Sequence, residues 1–195
     1  MERLKSLLAL IPELLASGLL DAGGGSIAVR ENAGIYVTPT QASRQLRWKL
    51  TPDDFILFPG GGEASMSRGA RQPSRENRLH RSMLASRPDW NCTFLGTSWG
   101  LLAYALAEKP LLLPEAHAWP LYRSRSVEIP ILPSGSESPG EAAAELMNRH
   151  FIKSDLGAVI IGGSGPLITA TEVNDVFSLA QTLENVARAR LLAPR

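Results

Sequence analysis

The chain has 195 residues, 44% of them hydrophobic, with 20 basic against 19 acidic side chains and a net charge of +1. That length reads as a single domain over residues 1–195, able to bury roughly 70% of its unfolded surface. The charge balance gives no reason to expect nucleic acid or an anionic membrane as partner, and the single cysteine, Cys92, excludes an internal disulfide and argues against a cysteine-based zinc site.

Leu4, Leu7, Leu8, Ile11, Leu14 and Leu15 recur at helical spacing and predict an amphipathic helix that ends near Gly18, with Pro12 as a place to bend. Glu2, Arg3, Lys5 and Glu13 interrupt its apolar stripe, so it reads as neither a signal peptide nor a membrane span, and a soluble cytoplasmic protein is expected. The run Gly23-Gly24-Gly25 after Asp21 is open to two readings, an anion-binding loop of backbone N–H groups or a flexible turn. Residues 27–38 alternate as a hairpin. Thr51 and Pro52 predict a short capped helical turn, residues 55–58 a buried strand, and residues 63–71 a polar loop. Ser74 is placed to cap a helix with Glu76 in its first turn, where the helix dipole favours a carboxylate. Glu76, Leu79, His80 and Met83 fall on one inward face, and His80 reads as a core histidine with its hydrogen bonds satisfied.

Residues 92–96 read as a strand, with Cys92 a small core residue, and residues 98–107 as a helix. Residues 111–114 and 127–131 read as further extended pieces. Ser138, Pro139 and Glu141 form a capping-box pattern opening a helix that runs to about His150. Residues 157–161 and 166–169 read as a strand pair around the corner Gly162-Gly163-Ser164-Gly165. Thr171 is placed to cap a last helix bearing Val173, Val176, Phe177, Ala180, Leu183 and Ala187 on one face. Helices interspersed with hairpins predict an α/β fold in αβα layers: a mixed, largely antiparallel central sheet flanked by helices.

An ordered series of segments resembles the class II aldolase and adducin family across nearly the whole chain. The segments are Gly25-Ser26-Ile27-Ala28-Val29-Arg30, Ile35-Tyr36-Val37-Thr38-Pro39-Thr40, Leu50-Thr51-Pro52-Asp53-Asp54, Pro73-Ser74-Arg75-Glu76 with His80, Arg87-Pro88-Asp89, and Leu183-Glu184. The resemblance implies an ancestral sugar-phosphate aldolase or epimerase chemistry, in which zinc held by histidines polarises the substrate and a glutamate at the position of Glu76 acts as acid/base. It implies a phosphate nest at Ser26, Thr40, Gln41, Ser74 and Arg75, and assembly as a homo-oligomer, a tetramer in relatives.

The family's metal-binding histidines fall on Gly96, Ser98 and Ser164, none of which offers an imidazole. No metal or other cofactor is therefore expected. The nest is altered as well, since the family has Asn at Ser26, Gly at Gln41 and Ser at Arg75. Three functions follow. The first is a member without the family zinc site, non-catalytic or binding a sugar phosphate or other small anion. The second is an active carbon–carbon lyase or epimerase with a relocated site using Glu76, His117 and Tyr122 or Tyr104. The third is an adducin-like interaction module whose exposed tryptophans would come from Trp48, Trp99 and Trp119.

Overall fold

The computed structural model describes residues 1–65, 71–118, 121 and 125–193. A seven-stranded sheet is its centre: β1 (Ser26–Glu31), β2 (Gly34–Val37), β3 (Ile56–Pro59), β4 (Cys92–Leu95), β7 (Ile131–Leu132), β8 (Leu156–Ile161) and β9 (Gly165–Ala170). They lie in the order β3-β2-β1-β4-β9-β8-β7, while β5 (Leu111–Leu113) and β6 (Val127–Ile129) form a separate antiparallel pair. Every neighbour in the main sheet is antiparallel except β7 with β8. Helices α3 (Asn77–Ser86) and α6 (Pro139–His150) cover one face, and α1 (Glu2–Ala16), α4 (Trp99–Leu106) and α7 (Val173–Leu192) cover the other. Short helices α2 (Ala42–Gln45) and α5 (Glu115–Ala118) and a single 3-10 turn (Pro52–Asp54) complete the described elements. This is the expected mixed, largely antiparallel sheet in αβα layers.

The periodic stripes find the core. Leu4, Leu7, Ile11 and Leu14 of α1 are buried, and so are Val176, Leu179, Leu183 and Ala187 of α7. Glu31 at the end of β1 fixes the start of α1 by accepting from the Leu4 N–H at 3.0 Å. The predicted turn at Asp54 forms, with the N–H and hydroxyl of Thr51 donating to Asp54 Oδ2 at 2.9 and 2.8 Å. Cys92 is buried as expected, and burial pushes its thiol up to about 12.

Several expected details come out differently. Residues 127–131 are two strands that serve different sheets. Pro130 has no N–H to donate, so the ladder with β5 stops at Ile129, while the Pro130 carbonyl accepts from Ile160 at 2.9 Å and starts the parallel pairing with β8. Three expected side-chain caps are not made. Helix α3 begins at Asn77, too far along for the Ser74 hydroxyl, and it is the Ser74 carbonyl that accepts from the Asn77 N–H and side-chain amide. Glu76 thus sits at the cap position rather than in the first turn. Ser138 does precede α6 with Pro139 at its first position, but no side chain caps it. Helix α7 starts at Val173 after Glu172, and the Thr171 hydroxyl is buried without a partner. Trp48 is buried, its indole N–H donating to the Asp21 carbonyl at 2.8 Å, so only Trp99 of the described pair is exposed. Trp119 and Tyr122 lie outside the described residues.

The end of β4 meets the β8–β9 corner with no space between them. Gly96 donates its N–H to the Pro166 carbonyl at 3.0 Å. A Cβ at Gly165, whose φ is +141°, would lie 2.4 Å from the Gly96 carbonyl oxygen. Gly165→Ala therefore combines a forbidden dihedral with a backbone clash and should cost about 2 kcal/mol or more, read as a lower midpoint in urea unfolding. An unchanged midpoint would mean that the two strand ends are free to separate.

Candidate functional site

Position 96 is closed to a side chain. A Cβ there would lie 2.7 Å from Phe94 Cε1 and 3.3 Å from the Leu19 carbonyl. Thr97 beside it donates its N–H to Leu19 O at 3.2 Å and its hydroxyl to Asp21 Oδ1 at 3.1 Å. Ser98 is buried ahead of α4, and its hydroxyl has no partner. Ser164 is exposed on the β8–β9 corner. The histidines stand apart: His80 is in the core, His117 is exposed on α5, and His150 ends α6 with Nδ1 3.0 Å from the Leu146 carbonyl. Among the described residues no group of three or more His, Cys, Asp or Glu could hold a metal ion. A buried hydroxyl at 98, an exposed one at 164 and a blocked backbone at 96 do not fit zinc, which takes imidazole, thiolate or carboxylate donors, three of them from the protein in a catalytic site.

The glycine loop resolves one of its two readings. Asp21 Oδ1 accepts from the N–H groups of Gly23 at 2.6 Å and Gly24 at 3.2 Å, as well as from Thr97. The loop does bind a carboxylate, and that carboxylate belongs to the chain itself. Ser26 at the start of β1 is also occupied. Its hydroxyl lies 2.7 Å from His80 Nε2, while His80 Nδ1 lies 2.6 Å from the Thr93 hydroxyl. All three residues are fully buried, and desolvation pushes the imidazole down to about 3, so it is neutral. His80 is the satisfied core histidine that its apolar neighbours suggested.

Thr40 donates its N–H to the Gln72 carbonyl at 2.8 Å. Gln41 follows with φ +58°, a left-handed conformation that glycine adopts more readily, and its side-chain oxygen accepts from Gln45 Nε2 at 2.9 Å. Ser74 is buried, its N–H donates to the Thr38 carbonyl, and its hydroxyl has no partner.

A cleft of about 890 Å³ opens between the start of α3 and residues 133–141. It gathers Arg75, Glu76 and Ser164, with Leu95 from the end of β4. Ser26, Thr40, Gln41, Ser74, Gly96 and Ser98 are not among its lining residues, and neither are Tyr104 and His117. Its walls add Arg78 and Arg81 from α3 and Ser134, Ser136 and Ser138 opposite. Sequence reasoning missed these. The spacing of Arg78 and Ser82 on one face of α3, with Arg75 just ahead of it, was the available signal.

A second interaction beside the strand end was also missed. Glu184 of α7 is 1% exposed, and its carboxylate accepts from the N–H groups of Gly100 and Leu101 at 3.0 and 2.9 Å. It caps α4 directly after Ser98, and Arg188 pairs with it at 2.5 Å. Gly100 leaves the space, since a Cβ there would lie 3.0 Å from both carboxylate oxygens. Among the described residues no helix is long and apolar enough to cross a membrane.

Known proteins share this architecture. The Class II Aldolase and Adducin N-terminal domain family matches residues 5–191. The 5-methylthioribulose-1-phosphate/5-deoxyribulose-1-phosphate aldolase of Rhodospirillum rubrum is 36% identical over 72 residues, 37% of this chain and 30% of that protein. The L-fuculose phosphate aldolase of Escherichia coli O6:H1 is 27% identical over 99 residues, 51% of this chain and 43% of that one. The matched stretches thus span less than half of either relative. Among solved structures, an L-fuculose 1-phosphate aldolase superposes with a TM-score of 0.75 at 16% identity, covering 98% of this chain and 85% of that one. The L-fuculose-1-phosphate aldolase of Thermus thermophilus does so at 0.68 and 20% identity, covering 95% and 92%. The chain belongs to the class II aldolase and adducin N-terminal domain family.

Proposed function

We propose that this chain binds a sugar phosphate, or a comparable small anion, in the cleft between α3 and residues 133–141, and that it does so without the family's zinc. The observation that carries this reading is the cleft itself: it keeps Glu76 and Arg75 together with Ser164, while the three positions expected to ligate a metal carry no imidazole. A cavity of this size suits a small molecule, and the names of the curated relatives attach sugar phosphates to the family. With no imidazole set to hold a carbonyl-polarising metal, Glu76 lacks the electrophilic partner that makes a proton transfer useful, so the protein is read as non-catalytic. Calorimetric titration with L-fuculose 1-phosphate should show saturable binding that weakens as salt is raised. Absence of binding at millimolar ligand would contradict the reading.

The position of Glu76 in the cleft supports a second reading, in which it still acts as an acid/base on a substrate polarised by the arginines. A retro-aldol assay on the same compound separates the two. The first reading expects wild type and Glu76→Gln to release product at the same background rate. Turnover by wild type that is lost in Glu76→Gln would establish the second.

A further inference from the structure

We propose that the anionic group of the ligand is held by the guanidinium groups of Arg75 and Arg78, against the first turn of α6, and not by the nest at Ser26, Thr40, Gln41 and Ser74. This rests on the sugar-phosphate reading above and specifies how that site works. The first ground is that none of these nest residues lines the cleft, and some of their groups are already bonded within the chain. The Ser26 hydroxyl is shared with His80, the Thr40 N–H donates to Gln72, the Gln41 side-chain oxygen accepts from Gln45, and the neighbouring glycine loop already holds the Asp21 carboxylate. A phosphate entering the glycine loop would have to displace a carboxylate that accepts three hydrogen bonds. The buried Ser74 hydroxyl has no partner.

The second ground is the cleft. Arg75 and Arg78 are exposed and line it, and neither guanidinium is in an ion pair with a carboxylate among the described residues. Arg81, next along the helix, is held in place. Its guanidinium lies over the Phe58 ring at 4.6 Å and donates to the Gly62 carbonyl at 3.0 Å, leaving its buried Nε without a partner. The opposite wall comes close because Gly140 has no side chain: a Cβ there would lie 2.7 Å from Ser82 Oγ and 3.3 Å from the Arg78 carbonyl. The first turn of α6 therefore abuts the arginine-bearing turn of α3. No side chain caps α6, so its backbone N–H groups add to the positive side of this corner.

The lining also defines the ligand class. Glu76, Glu137 and Glu141 share the cleft with the arginines. A bare polyanion would meet three carboxylates as well as three guanidinium groups. A phosphorylated polyol satisfies both, its phosphate on the arginines and its hydroxyls donating to the carboxylates.

Binding of L-fuculose 1-phosphate and of inorganic phosphate, measured by calorimetry on the full chain, tests this. Arg78→Gln and Arg75→Gln should each weaken the sugar phosphate by about tenfold or more, whereas Thr40→Ala and Ser74→Ala should leave it within about twofold. Inorganic phosphate should bind wild type more weakly than the sugar phosphate. Losses at Thr40→Ala or Ser74→Ala that equal or exceed those at the arginines would overturn the inference while leaving the sugar-phosphate reading intact. Equal affinity for both ligands would overturn the polyol class. No binding of either ligand by wild type would remove the sugar-phosphate reading and this inference with it. Matching thermal melts exclude misfolding as the cause of any loss.

Discussion

Glu184→Ala should lower unfolding stability by about 3 kcal/mol, a fall in Tm of about 6–12 °C for a chain of this length. The carboxylate is buried and accepts from two N–H groups at the first turn of α4. Removing it orphans both donors where water does not reach, at about 1–3 kcal/mol for each. Glu184→Gln keeps an acceptor for one donor but turns an amide towards the other, and should lose about half as much. Gly100→Ala probes the same contact from the other side, because its methyl would press on both carboxylate oxygens. A loss below about 1 kcal/mol in Glu184→Ala would show that α4 does not depend on this cap. The effect bears on the site because α4 begins directly after Ser98, and a frayed first turn would release the β4 strand end.

The second large effect is on acid stability. His80 is buried and neutral, with its two ring nitrogens facing the hydroxyls of Ser26 and Thr93. Desolvation holds its pKa at about 3, against 6.5 for the free side chain. Below pH 6.5 the unfolded chain gains a proton on this imidazole and the native chain does not. The stability contributed by the neutral form is therefore full above pH 6.5. It falls by up to about 1.4 kcal/mol per pH unit as pH drops towards about 3. Urea unfolding between about pH 7.5 and 5 should show this slope above the range in which carboxylates titrate. In His80→Gln, which keeps hydrogen-bonding capacity but cannot titrate, the slope should flatten even though the variant is less stable at neutral pH. A slope that persists in His80→Gln would assign it to another group.

The parts of this fold that were legible in the chain are those decided by local pattern. The leucine spacing of α1, the hairpin of β1 and β2, and the strand pair around the corner at Ser164 each follow from periodicity and glycine placement. The core role of His80 was legible too, because Leu79 and Met83 mark the face it shares. Contacts that depend on residues far apart in sequence were not legible. Glu184 caps a helix more than 80 positions earlier, and Asp21 reaches Thr97 across a strand order that only the assembled sheet defines. Expected caps failed where backbone alternatives were closer, as at Ser74, whose carbonyl does what its hydroxyl was expected to do. Pro130 illustrates the same limit: its missing N–H was visible, but which strands lay on either side was not. For the candidate site, the absence of imidazole at positions 96, 98 and 164 could be read directly. The closing of position 96 by Phe94 and Leu19, and the arginine-lined cleft against α6, required three-dimensional placement.

We propose that ligand binding by this protein is independent of zinc. The most direct measurement is elemental analysis of protein purified without chelator, with L-fuculose 1-phosphate binding compared before and after exhaustive EDTA treatment. Zinc-independent binding predicts substoichiometric zinc and the same affinity in both samples. One zinc per chain, with binding lost on its removal and restored on its return, would contradict it.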